Sequence, residues 1–265
     1  VIDQAENGGT PATGTGTVRP WFEFLRQWVV EVDRDLVSLH EKEVCEMHSL
    51  TLNEKEILMS TVWVTNRTHD IVITAPEPKR HNGAAETGVY TDVKLNFMDN
   101  GWITVDGIEF TYGAYIRAIH TGAAEGEVTI CNNIIHDTQS NTGIFVCGAN
   151  DWYVYNNIIY DTNPESYMIH GISVGSGHKA NAYIYNNSIF LNTDTKYNQA
   201  CIANGADTSL YTIDVSNNLL ANTGSCNGPW CVDYTGTNEP TGDYNIGTDD
   251  TVPGTHSLIN QNIDT

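Results

Sequence analysis

Val128-Thr-Ile-Cys-Asn-Asn-Ile-Ile-His-Asp-Thr138 recurs along the chain as Trp152-Tyr-Val-Tyr-Asn-Asn-Ile-Ile-Tyr-Asp-Thr162, as Ala182-Tyr-Ile-Tyr-Asn-Asn-Ser-Ile-Phe-Leu-Asn192 and as Ile213-Asp-Val-Ser-Asn-Asn-Leu-Leu-Ala-Asn222. A looser copy precedes them, Ile103-Thr-Val-Asp-Gly-Ile-Glu-Phe-Thr111. With Gly107, Asn132, Asn156, Asn186 and Asn217 taken as equivalent, the copies lie 25, 24, 30 and 31 residues apart. A motif that returns at such intervals marks a solenoid, in which each repeat is one coil and neighbouring coils bury a continuous core.

Alternation along the motif assigns its faces. Val128 and Ile130 point inward, Thr129 and Cys131 outward, and strict period two then turns Asn132 inward. Asn133 falls where the chain bends before Ile135 re-enters the core. Asn tolerates a left-handed backbone better than other non-Gly residues, which suits a corner. An inward Asn on every coil can hydrogen-bond to its equivalents above and below, at the strand spacing of about 4.8 Å. The expected ladder is therefore Asn132, Asn156, Asn186 and Asn217. Its role is structural rather than catalytic.

The rest of the chain falls into place around the repeat. Residues 1–18 are rich in Gly, Thr and Pro, lack periodicity, and predict an extended arm. After Pro20 the apolar residues Trp21, Phe24, Leu25, Trp28, Val29 and Val32 have helical spacing, with Pro at a first-turn position. An amphipathic helix ahead of a solenoid predicts a cap over its open N-terminal end. Residues 19–68 are read as this capping helix and a first irregular turn, 69–248 as the coils, and 249–265 as a tail. The segment Ala75 to Val89 is a long polar loop that brings Lys79, Arg80 and His81 together.

Thirty-three acidic residues against 12 basic ones give a formal charge of -21. Such a balance argues against nucleic acid as a partner, because phosphate binding needs a basic footprint. No apolar run approaches membrane-spanning length. The chain starts at Val1 rather than Met, which fits a processed, exported protein at a cell or virion surface. Cys226-Asn-Gly-Pro-Trp-Cys231 could close a disulfide around a tight turn, or carry two free thiols; no second Cys pair completes a zinc site.

Ile-x-Asn-Asn-x-Ile repeats, with strands such as Ile144-Phe-Val-Cys147, Ile172-Ser-Val174 and Cys201-Ile-Ala203 between copies, resemble the right-handed parallel β-helix of the pectate-lyase-like superfamily. The resemblance covers about residues 69–247 and implies an all-β chain forming one solenoid with an N-terminal helical cap. That fold carries polysaccharide lyases and hydrolases as well as tailspikes and adhesins, so it leaves function open.

Family lyases use carboxylates that bind calcium, together with an Arg or Lys base, on the outer face of one sheet. The metal neutralises the substrate carboxylate while the base takes the adjacent proton. Calcium is thus the cofactor the resemblance would imply. Arg117 is an outward candidate for the base, and no lyase signature surrounds it. Family hydrolases need paired carboxylates, and Asp137 and Asp161 occupy equivalent positions on neighbouring coils. Both also end strands, where Asp-Thr is ordinary turn chemistry.

The outward columns say more. Tyr153, Tyr155, Tyr183 and Tyr185 form a two-by-two patch, and a further column after the corner carries His136, Tyr160 and Phe190. Arrayed aromatics suit contact with a glycan or with a second subunit in an oligomer or filament. They also suit plain sheet stabilisation, since Tyr has high strand propensity. The expectation is a non-catalytic surface protein that uses this aromatic face, with a lyase or hydrolase acting on an acidic polysaccharide as the alternative.

Overall fold

The computed structural model describes residues 28–29, 35–48, 57–59, 64–92, 94–98, 101–111, 115–119, 126–137, 142–146, 151–161, 170–175, 181–192, 199–204, 212–223, 229–234 and 239–261. Three parallel sheets of seven strands each form its walls. The first holds β1 (Glu43–Glu46), β3 (Ile71–Thr74), β6 (Trp102–Asp106), β9 (Glu127–Cys131), β12 (Asp151–Tyr155), β15 (Ala182–Tyr185) and β18 (Ile213–Ser216). The second holds β4 (Tyr90–Thr91), β7 (Glu109–Phe110), β10 (Ile134–His136), β13 (Ile158–Asp161), β16 (Ser188–Leu191), β19 (Leu219–Asn222) and β21 (Ile246–Gly247). The third holds β2 (Ile57–Met59), β5 (Lys94–Met98), β8 (Tyr115–Ile119), β11 (Thr142–Val146), β14 (His170–Val174), β17 (Gln199–Asn204) and β20 (Pro229–Tyr234).

From β3 to β20 the chain visits first, second and third sheet in strict rotation, so each strand pairs with its equivalent one coil away. This is a parallel β-solenoid. The expected alternation holds along the first sheet: Ile71, Ile73, Val128, Ile130, Trp152 and Val154 are buried, with half-buried residues between them. Packing is matched along the axis as well. The largest inward side chain, Trp152, pairs with Ala182 on the next coil, while Val154 continues a β-branched column from Ile130 to Ile184. Each such side chain removed from water is worth about 1.5–3 kcal/mol.

The asparagine ladder is present, but one residue later than strict alternation places it. Asn132, Asn156, Asn186 and Asn217 have φ of 55°, 56°, 56° and 57°, in the left-handed region, and Gly107 takes the same corner with φ 75°. Asn133, Asn157, Asn187 and Asn218 are the buried members, joined by Asn245. The amide N–H of Asn133 donates to Oδ1 of Asn157 at 3.0 Å, that of Asn157 to Asn187 at 3.0 Å, that of Asn187 to Asn218 at 2.9 Å and that of Asn218 to Asn245 at 3.0 Å. Each Nδ2 then donates to a strand carbonyl, as Asn157 does to Ile130 at 2.9 Å. The physical reason for the shift is the left-handed residue itself. It turns the backbone through the corner and breaks the two-residue period, so the next side chain points in.

At the N-terminal end, β1 and β2 already belong to the first and third sheets, so the walls begin well before residue 69. The complete α-helix among the described residues is α1 (Leu36–Leu39), with Asp35 Oδ1 accepting the N–H of Ser38 at 2.9 Å. Four residues make about one turn, too short for an amphipathic stripe. Most of the expected cap over 20–32, and all of the arm over 1–18, lie outside the described residues. Within the cap segment, Trp28 and Val29 are helical and buried in the core. No helix among the described residues is long and apolar enough to cross a membrane.

The C-terminal segment closes the other end. Asp249 and Thr251 accept the backbone N–H groups of Cys231 and Val232, and Ser257 accepts that of Asn245. Val252 enters the core. Cys231 is a free thiol, and Cys226, the other cysteine of the expected pair, lies outside the described residues. The Cys231 sulfur is buried instead, 3.2 Å from the Leu220 carbonyl and 3.3 Å from Thr248 Oγ1.

Candidate functional site

On the outer face of the first sheet, β12 and β15 bring the four tyrosines together in register, Tyr153 beside Tyr183 and Tyr155 beside Tyr185. The rings of the first pair lie 5.0 Å apart at 16°, those of the second 5.0 Å apart at 7°. All four are half-buried. Because each ring stacks on its equivalent one coil away, part of each face is occupied by the partner. What the patch offers outward is ring edges, hydroxyls and the free end faces of two short stacks. The stack contributes to sheet stability too, by about 0.5–1.5 kcal/mol per pair.

Small and polar residues continue these columns. Below the tyrosines lie Thr129 and Cys131, and above them Asp214 and Ser216. Burial pushes the Cys131 thiol up to about 12, and burial together with the Cys131 side chain raises the Tyr155 phenol. The Tyr153 phenol is raised by burial, then by the nearby charges of Glu127 and Asp151. None of these groups ionises near neutral pH.

One coil below Cys131, the loop from Ala75 to Val89 closes the column. Arg80 forms an ion pair with Asp106, its Nη1 donating to Oδ1 at 3.1 Å and its Nη2 to Oδ2, while its Nε donates to the Ala75 carbonyl at 3.0 Å. Gly107 permits this approach, since a Cβ there would sit 3.0 Å from the Arg80 Nε. His81 Nε2 bonds the Asn132 carbonyl at 2.7 Å, and Asn132 Nδ2 donates to Asp106 at 2.7 Å. The sequence grouped Lys79, Arg80 and His81 in one loop, but gave no sign that Arg80 and His81 fasten it to the Asn132 corner.

The same loop overturns the reading of His136 as an outward contact residue. His136 is buried, its Nε2 2.9 Å from Glu109 and its Nδ1 3.0 Å from Asp137. Glu109 is fully buried and accepts the backbone N–H of Glu86 on both oxygens, at 3.0 and 2.8 Å. The loop therefore covers the lower coils of the second sheet. A ring that meets a carboxylate at each nitrogen donates to both only as imidazolium. Burial by itself lowers the His136 pKa, but the hydrogen bonds to Glu109 and Asp137 outweigh it and raise the pKa overall. Tyr160 stacks on the ring at 5.0 Å and 10°, and it and Phe190 are half-buried in the same column.

The two candidate carboxylates do not share an opening. Asp161 is 0% exposed, whereas Asp137 sits at a corner with φ 46°, hydrogen-bonded to His136. Arg117 lies on β8 of the third sheet, in register with Asn96 and Phe145, and its side chain lies outside the described residues. Among the described residues, no group of three or more His, Cys, Asp or Glu side chains is arranged to hold a metal ion such as calcium.

Fold and surface together define a parallel β-solenoid with an internal asparagine ladder and a tyrosine-bearing outer wall. Compared with known protein families, curated proteins and solved structures, the chain finds no match.

Proposed function

We propose that the chain is an exported, non-catalytic surface protein, a β-helix of the pectate-lyase-like kind, whose first-sheet tyrosine face holds a glycan. The observation that carries this reading is the two-by-two array of half-buried tyrosines on adjacent strands, stacked at 5.0 Å and flanked by short polar side chains. Such an array is rigid before any ligand arrives, so little side-chain entropy is lost on binding. Its edges and hydroxyls match the mixed apolar and polar surface of sugar rings. The enzymatic alternative has less support, because Asp161 is sealed in the core while Asp137 is bonded to a buried histidine.

The test is affinity electrophoresis against a panel of soluble polysaccharides, with wild type beside Tyr155→Ala/Tyr185→Ala. Retardation of wild type by at least one polysaccharide, and its loss in a variant that still melts cooperatively, supports the reading. Equal mobility of both proteins in every gel defeats it.

A second contact, with another copy of the chain, is favoured by a separate observation. Leu219, Ile246 and Leu258 align in one column of the second sheet near the C-terminal end and are 37%, 36% and 54% exposed, with Ile259 beside them at 43%. Self-association through this strip places an oligomer or filament contact away from the tyrosine face. Sedimentation of Ile246→Lys/Leu258→Lys against wild type tests it, and identical coefficients for both proteins reject it.

A further inference from the structure

Among the described residues, carboxylates outnumber cations around the tyrosine face. On β12, Asp151 is the next outward residue before Tyr153, and it pairs in register with Glu127 one coil below. Asp214 pairs with Tyr183 one coil above. All three carboxylates are half-buried on the same wall. Neutral side chains hydrogen-bond two of them: Asn181 Nδ2 donates to Asp151 at 2.8 Å, and Ser216 Oγ donates to Asp214. A fourth carboxylate, Asp106, lies one coil below Cys131 in the Tyr155 column.

Arg80, Arg67 and Lys42 stand on or beside this wall among the described residues, and each faces a carboxylate; Lys42 pairs with Asp70, two coils below Glu127, at 3.0 Å. Arg80 is held by Asp106 and the Ala75 carbonyl. Arg67 is 81% exposed and stands 3.9 Å from Glu127, a contact that solvent screens heavily. Three carboxylates thus frame four tyrosines, in a chain whose formal charge is -21.

We propose that the tyrosine face takes a cationic polysaccharide, a polymer of amino sugars with free amines, rather than an acidic one; this rests on the glycan-binding reading above. A uronate or sulfate polymer laid over this wall meets Glu127, Asp151 and Asp214 with like charge, which costs several kcal/mol across an interface. An ammonium group meets the opposite situation. It finds carboxylates for pairing, and electron-rich tyrosine faces at the stack ends that attract a cation within about 6 Å of the ring centroid. The surrounding field raises the local concentration of such a polymer before contact. A repeating amine also suits a wall whose equivalent positions recur at the strand spacing of about 4.8 Å.

The experiment measures binding of wild type and of Asp151→Asn/Asp214→Asn to four probes: fully deacetylated chitosan oligomers, their N-acetylated counterparts, oligogalacturonate and oligolysine of matched length. The amides preserve size and hydrogen bonding, and thermal melts confirm that the variant folds. The expected result is that wild type binds the deacetylated oligomer most tightly, and that binding weakens at about 0.5 M salt. The variant loses about tenfold or more in affinity for that probe alone. Equal affinity for acetylated and deacetylated sugar, tighter binding of oligogalacturonate, or an unchanged variant overturns the cationic assignment while glycan binding stands. Oligolysine binding as tightly as the amino sugar overturns it in favour of a basic peptide. Failure to bind any of the three sugars, with the wider polysaccharide panel also negative, overturns the glycan reading and this assignment together.

Discussion

Replacing one residue of an Asn-Asn pair separates the two roles that the motif combines. Asn187 Oδ1 accepts the backbone N–H and the Nδ2 of Asn157, both at 3.0 Å. Its Nδ2 donates to Val154 O at 2.9 Å, to Tyr185 O at 3.1 Å and to Asn218 Oδ1 at 3.1 Å. In Asn187→Ala the Asn157 Nδ2 keeps the Ile130 carbonyl, and Asn218 Oδ1 keeps the N–H of residue 187. The Asn157 N–H and the Val154 carbonyl lose these partners inside the core. At roughly 1–3 kcal/mol for each buried group so stranded, the expected cost is about 3 kcal/mol.

Asn186 is exposed and sits at φ 56°, so Asn186→Ala loses only the conformational advantage, about 1 kcal/mol. Asn186→Gly costs a few tenths of a kcal/mol at most, because Gly adopts a left-handed backbone freely. Urea denaturation of Asn186→Ala, Asn186→Gly, Asn187→Ala and Asn187→Gly ranks the four. Both substitutions at Asn187 should lower the midpoint far more than either at Asn186. The reverse order, or a tolerated Asn187→Gly, would refute the assignment of the ladder to the second Asn.

Three other outcomes follow from the geometry. The raised pKa of His136, set among Glu109, Asp137 and the Tyr160 ring, means that its contribution is fully present below the ordinary value of 6.5 and is lost as pH rises through the folded-state pKa. Melting temperature should therefore fall across that window in wild type, and the fall should be smaller in His136→Phe; parallel profiles would contradict it. Tyr244 occupies the ladder's corner position with φ 60° and is 61% exposed, so Tyr244→Asn should raise stability by about 1 kcal/mol less the small loss of its stack on His256, as read by thermal melts. Cys201 and Cys231 are wholly buried, and should resist a thiol reagent in native buffer yet label promptly in urea; prompt native labelling would show that this end of the core is open.

Much of the architecture is legible in the letters alone. The recurring Asn-Asn text determined that the chain is a solenoid, that its walls are short parallel strands and that Tyr153, Tyr155, Tyr183 and Tyr185 meet on one outer face. These properties are local, following from two-residue alternation and from the distance between copies. Three others depended on tertiary structure. Which Asn of each pair is buried depended on the left-handed corner at Asn132 and its equivalents, a backbone state that interrupts the alternation used to read it. His136 is covered because the loop carrying Arg80, His81 and Glu86 folds over the second sheet, a contact between residues up to 51 positions apart that no periodicity encodes. The register of Asp214 with Tyr183 and of Glu127 with Asp151 follows from the repeat alignment, and only the structure decided that all three carboxylates are half-buried on the tyrosine wall. Side chains distant in sequence become neighbours through the stacking of coils, and that stacking decides the charge a ligand meets.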